Sequence, residues 1–167
     1  MHYLEHKNRE ILADWLFTSG QFNVFATVTL KQAVCGRDGG LQFNSKERCS
    51  GTACLLRDWV SKEVIGQRRY RHGERLEWAT FIESGFGDKR FHLHLMINKS
   101  DEITHNEFEQ KFHYVCGRLD WIHKQIDIQQ IKDIEGNGRR AVAFYCLKEG
   151  IDALDVRSSS LRNHQIG

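Results

Sequence analysis

The chain has 167 residues, 40% hydrophobic and 28% charged, a balance that excludes a disordered chain and fits one globular domain with a sizeable core. A formal net charge of +2 does not by itself announce a nucleic-acid binder. No apolar run approaches the roughly 20 residues needed to cross a bilayer, and the charged opening "MHYLEHKNREILADWL" cannot serve as the apolar part of a signal peptide, so an intracellular protein with no membrane partner is expected.

Leu4, Ile11, Leu12, Trp15 and Leu16 fall on one face at helical spacing, which predicts an opening amphipathic helix. "QFNVFATVTLK" (residues 21–31) is rich in β-branched and aromatic residues and reads as a strand. "CGRDGGLQFNS" (35–45) reads as a glycine-rich loop. A second helix follows to about Gln67, carried by Leu55/Trp59 and Leu56/Val60/Val64 and weakened by Gly51.

"RLEWATFIES" and "RFHLHLMIN" are two strands joined by "GFGDK", a hairpin signal. Thr104 and Glu107 form a capping box ahead of an apolar face of Phe108, Phe112, Val115, Cys116 and Leu119. "QIDIQQIKD" (125–133) reads as a last strand, with a slip of phase at the paired glutamines that marks a bulge. Residues 139–149 read as a helix stopped by Gly150. One domain is expected over 1–155, with 156–167 as a flexible tail.

Without its first and last helices this order is βαββαβ. The expected fold is therefore α+β, a ferredoxin-like (RRM-like) antiparallel sheet with extra N-terminal and C-terminal helices, and with the core helices on one face. Five cysteines with no CxxC pair (Cys35, Cys49, Cys54, Cys116, Cys146) argue against a disulfide framework or a structural zinc cluster.

His92 and His94, at i and i+2 of a strand, point to one face about 6.5–7 Å apart. Leu93 and Leu95 then face the core and leave the histidines on the other side. Hairpin pairing sets Glu83 close to opposite His92, so Glu83, His92 and His94 can share one ion. Glu77 has the same parity but lies six residues down the strand and ranks second. In "AVAFYCLKEG", Tyr145 and Lys148 are i and i+3 neighbours on a helix. A tyrosine, weakly nucleophilic at its free pKa near 10, needs such a cation beside it to act.

"FATVTL", "HLHL" and "YCLKEG", in that order, resemble the three successive motifs of the HUH endonuclease superfamily, and more narrowly its rolling-circle replication initiators with one catalytic tyrosine. The resemblance spans roughly residues 21–150. It implies a metal-dependent, sequence-specific nicking and rejoining of single-stranded DNA, with Glu83, His92 and His94 as metal ligands, Tyr145 as nucleophile and Lys148 assisting. It implies Mn2+ or Mg2+, with no small-molecule cofactor. The implied partners are single-stranded DNA at a replication origin (a hairpin or nick site) and a separate helicase. The implied setting is a bacterial cytoplasm or, for a virus, the host nucleus. Arg68, Arg69, Arg71, Lys89, Arg90, Arg139 and Arg140 are candidate phosphate contacts, and Tyr70, Trp78 and Phe86 candidate stacking partners.

Other readings fit less well. Histidine-triad hydrolases need a third alternating histidine where this chain has Met96, and two-histidine phosphoesterases need two separate pairs. An iron oxygenase site gives Tyr145 no role. A transposase or relaxase of the same superfamily remains an alternative, as does a non-catalytic RRM-like module, although the latter favours aromatics where this sequence places imidazoles.

Overall fold

The structure is a computed structural model that describes residues 2–84, 90–132 and 137–161. Among these it is α+β, with five α-helices and a four-stranded antiparallel sheet. In chain order the elements are α1 (His2–Ser19), β1 (Val24–Leu30), β2 (Ala33–Cys35), β3 (Leu41–Phe43), α2 (Lys46–Ile65), α3 (Gln67–Arg71), β4 (Glu77–Glu83), β5 (His92–Asn98), α4 (His105–Cys116), β6 (Ile122–Gln130) and α5 (Asn137–Cys146). The main sheet runs β4-β5-β1-β6.

Alternation builds the first core. Val24, Ala26, Val28 and Leu30 on β1, with Leu93, Leu95 and Ile97 on β5, point into a cluster closed by Leu56 and Val60 of α2 and Phe108 and Phe112 of α4. Helix α2 starts at Ser45, whose side chain accepts from Arg48 N, and stops at Gly66. At α4 the capping box forms as predicted: Glu107 N donates to Thr104 Oγ1 at 3.2 Å, and Thr104 N donates to Glu107 Oε2 at 2.7 Å.

The core helices α2 and α4 share one face, as expected; what changes is that the opposite face is not left open. Ala79, Phe81 and Met96 make the opposite face of β4 and β5 apolar, so it too needs cover. Ala13 and Leu16 of α1, Ala143 of α5, and Cys146, Leu147 and Ala153 bury it in a second cluster. Over β6 that face is polar and exposed, as at Asp127 and Gln129.

Four further expectations change. Helix α1 buries Ala13 and Leu16, while Leu4, Ile11 and Trp15 are 66%, 58% and 45% exposed, because its seat is set by α5: Arg140 Nε pairs with Asp14 Oδ1, and the Arg9 guanidinium lies over Phe144. Residues 35–45 are not simply a loop: β2 and β3 form a hairpin, with Gly39 at φ +79° and Gly36 N donating to Gly40 O. Strand β6 begins earlier than predicted, and its irregularity lies at its start, where Val28 pairs with Ile126 but Leu30 with Ile122; the two glutamines pair regularly.

The fourth correction is the tail. Residues 156–161 are not a free end, because the 154–160 stretch straps the edge of β4: Leu154 pairs with Phe81, and Ser160 with Trp78. Thr80 N donates to Ser159 Oγ at 3.0 Å, and Ser158 is fully buried. The strap satisfies backbone groups that an open edge would leave unpaired. Residues 162–167 of the expected tail lie outside the described residues.

Candidate active site

Antiparallel pairing of β4 with β5 sets Glu83 directly opposite His92 and Phe81 opposite His94. Pairing of β5 with β1 sets Thr27 beside His94 and Thr29 beside His92. The two imidazoles share one face, with ring centroids 6.5 Å apart. The next element to reach that face is α5. Buried Cys146 and Leu147 anchor its end, which leaves Tyr145 49% exposed and brings its ring to 5.5 Å from that of His94.

Lys148 lies past the helix, in the turn that follows it, not within a helix running to residue 149 as predicted. Lys148 N donates to Tyr145 O, and Gly150 N to Leu147 O. Ser84 N donates to Glu149 Oε2 at 2.9 Å, which ties the end of β4 to this turn. The turn and strand ends thus hold four side chains together.

The Glu83 carboxylate is their hub. Its Oε2 lies 2.5 Å from His94 Nε2 and 2.8 Å from Lys148 Nζ. Lys148 Nζ in turn lies 3.4 Å from Tyr145 Oη and 4.7 Å from the tyrosine ring centroid. On its far side His94 Nδ1 is 3.1 Å from Thr27 Oγ1, and Phe25 stacks on the imidazole.

Burial pulls the His94 pKa below its ordinary value, against the opposing pull of Glu83, and keeps the ring neutral near pH 7. Partial burial pushes the Glu83 carboxyl up, but hydrogen bonds from Lys148 and His94 outweigh it and leave the group below the usual carboxylate range. Desolvation likewise pulls Lys148 down, and the bonds to Glu83 and Tyr145 reverse that and raise it. The cluster is therefore a carboxylate held between an ammonium and a neutral imidazole. With Nε2–H donating to Glu83, the Thr27 hydroxyl donates to Nδ1; a hydroxyl can also accept, so it suits either tautomer.

Glu83, His94, Tyr145 and Lys148 are thus brought together, with His92 beside them. Among the described residues no group of three or more His, Cys, Asp or Glu side chains is placed to hold a metal ion. Glu77 is remote from the cluster: it pairs with Asn98 at the other end of β4, about 20 Å along the strand.

The basic candidates divide. Arg90 is exposed and stands two residues before His92, whereas Lys89 lies outside the described residues. Arg68, Arg69 and Arg71 ride on α3, ahead of the Glu77 end of β4, so they are not brought to the cluster; Arg69 is also paired with Glu74 and Glu102. Arg139 donates to Gly20 O and Arg140 pairs with Asp14, so both tie the start of α5 to the α1 end of the molecule. Trp78 is fully buried core and unavailable for stacking. Tyr70 is covered by the Arg75 guanidinium at 3.6 Å, and Phe86 lies outside the described residues.

Sequence reasoning missed Thr27 and Phe25 as supports of His94. The signal was the alternation in "FATVTL", which sets Phe25, Thr27 and Thr29 on one face. The buried Cys49 and Cys116 thiols are pushed up to about 12 by desolvation, which makes them inert packing groups.

The chain matches no protein-family model, no curated protein and no solved structure.

Proposed function

We propose that the protein is a divalent-metal-dependent endonuclease of the HUH type, which nicks and rejoins single-stranded DNA through a 5′-phosphotyrosine intermediate and so initiates rolling-circle replication. The observation that carries this reading is the meeting of Tyr145 and Lys148 with His94 and Glu83, two motifs more than 50 residues apart in the chain. The sheet order β4-β5-β1-β6, with α2 between β1 and β4 and α4 between β5 and β6, supports a ferredoxin-like core beneath the site.

By ligand type, one carboxylate and two imidazoles suit a divalent cation such as Mn2+, although Glu83, His92 and His94 do not converge on one point without it. Glu83 Oε2 and His94 Nε2 already face each other, His92 stands opposite Glu83, and the second nitrogen of His94 is fixed by Thr27, as ligand histidines commonly are. Such an ion, held by Glu83, His92 and His94, would supply Lewis-acid polarisation of the scissile phosphate.

The remaining chemistry belongs to the chain. Tyr145 Oη attacks phosphorus, the bond to the 3′ oxygen breaks, and that oxygen takes a proton from solvent and leaves as a 3′-hydroxyl while the 5′ side stays on the tyrosine. Lys148, held protonated, cannot take the tyrosine's proton; its ammonium offsets the charge that develops on the phenol oxygen. Solvent reaches the half-exposed phenol and accepts the proton. One phosphodiester has replaced another, so a later 3′-hydroxyl can reverse the step and rejoin the strand. Origin DNA and a separate helicase complete the proposed setting.

Incubation with a labelled single-stranded oligonucleotide pool and Mn2+ tests this. A denaturation-resistant protein–DNA species is expected with wild type and not with Tyr145→Phe, His94→Ala or added EDTA. A wild type that gives no such species, or a Tyr145→Phe variant that still does, would overturn the reading.

A further inference from the structure

The Glu83 oxygen that faces His94 Nε2 is also the one engaged by Lys148. The lone pairs of the Glu83 oxygen nearest His94, Oε2, are therefore already shared with an ammonium. The charges in the cluster balance as it stands, one carboxylate against one ammonium. A doubly charged ion arriving between Glu83 and His94 leaves two cations on one carboxylate, and like charges at such range repel. Lys148 has somewhere to go. Its ammonium is already 3.4 Å from Tyr145 Oη, and its side chain is 36% exposed. It extends from a turn whose backbone is fixed by Lys148 N donating to Tyr145 O and Gly150 N to Leu147 O, so the stem can swing while the chain stays in place.

We propose that Lys148 is a competitor for the metal site: its ammonium occupies the Glu83 carboxylate when no divalent ion is bound, and is displaced toward Tyr145 Oη when one binds. Loading the ion and delivering a cation to the nucleophile are then one event, and a DNA phosphate restores the local charge balance. The inference rests on the nuclease reading above, but makes a separate claim. A lysine that merely helped to hold the ion or the fold would strengthen metal binding; a competitor weakens it.

Mn2+ titration of the full chain without DNA, followed by the electron paramagnetic resonance signal of the free ion, separates the two. Lys148→Met is expected to bind Mn2+ about twofold to fivefold more tightly than wild type, the scale of a partly exposed ion pair lost as competitor, while covalent adduct formation falls. Lys148→Arg, which keeps the charge, is expected to stay near wild type. A folding defect would loosen binding, so the expected tightening cannot arise from one. Lys148→Met binding that is equal to or weaker than wild type overturns the proposal and leaves the nuclease reading standing. If wild type and Lys148→Met both fail to take up Mn2+ saturably, the metal site itself falls, and the competition with it.

Discussion

His94 is 4% exposed and neutral at physiological pH, wedged between Glu83 and Thr27. Its depressed pKa, set by burial against the pull of Glu83, makes stability depend on acidity. The unfolded chain takes up a proton at this residue near the ordinary 6.5, and the folded chain only at lower pH. Stability is therefore lost as pH falls from about 6.5 through the folded value. Glu83, also depressed, adds a second loss below its ordinary 4.5. The melting temperature of wild type should drop between about pH 8 and pH 5.5, and His94→Gln, which keeps a hydrogen-bonding group that does not titrate, should flatten that part of the curve. Superimposable curves for the two proteins would show that His94 is not held neutral by its surroundings. At this scale the sequence was informative where parity along one hairpin decides the answer: Glu83 opposite His92 follows from turn length and alternation. Thr27 against His94 did not follow, because the two lie on strands whose mutual register depends on the whole sheet.

The elements that carry the site are fixed by short-range devices at their ends. The turn after α5 ends at Gly150, whose φ of +118° and ψ of +175° lie in a region essentially reserved for glycine. A side chain there strains the backbone by about 1–3 kcal/mol. Gly150→Ala should lose stability on that scale in denaturant unfolding and should lower adduct formation, because the same turn places Lys148; full stability would mean that the turn relaxes freely. Elements with strong periodicity or caps were legible, above all α4 with Thr104, Glu107 and its phenylalanine face. The strap over β4 was not, because "RSSSL" carries no hydrophobic alternation and its pairing rests on backbone groups and serine hydroxyls. The buried face of α1 was misread for a related reason. Of the expected stripe only Leu12 and Leu16 pack on the second cluster, and close approach of α5 adds the small Ala13, while Leu4, Ile11 and Trp15 stay exposed.

At the scale of the molecule, the sheet is covered on one face by α2 and α4 and on the other over β4, β5 and Phe25 of β1. The candidate site sits at the margin of that second cover, where α5 ends and polar residues of β6 begin. No helix among the described residues is long and apolar enough to cross a membrane. Polarity in the sequence hinted at this division: Phe81 and Met96 are apolar on the histidine face of β4 and β5, whereas Asp127 and Gln129 are polar on β6. What covers Phe81 and Met96 was hidden, since it is the pairing of the chain's first and last helices. The claim that joins all three scales is that Tyr145 becomes bonded to DNA. Trypsin acting after Arg140 and Lys148 releases residues 141–148, "AVAFYCLK", with a single tyrosine. After reaction with single-stranded DNA and Mn2+, and nuclease trimming, mass spectrometry should find a nucleotide remnant on this peptide, attached at Tyr145. A remnant on any other residue, or a 141–148 peptide that stays unmodified while DNA is cut, would contradict the account.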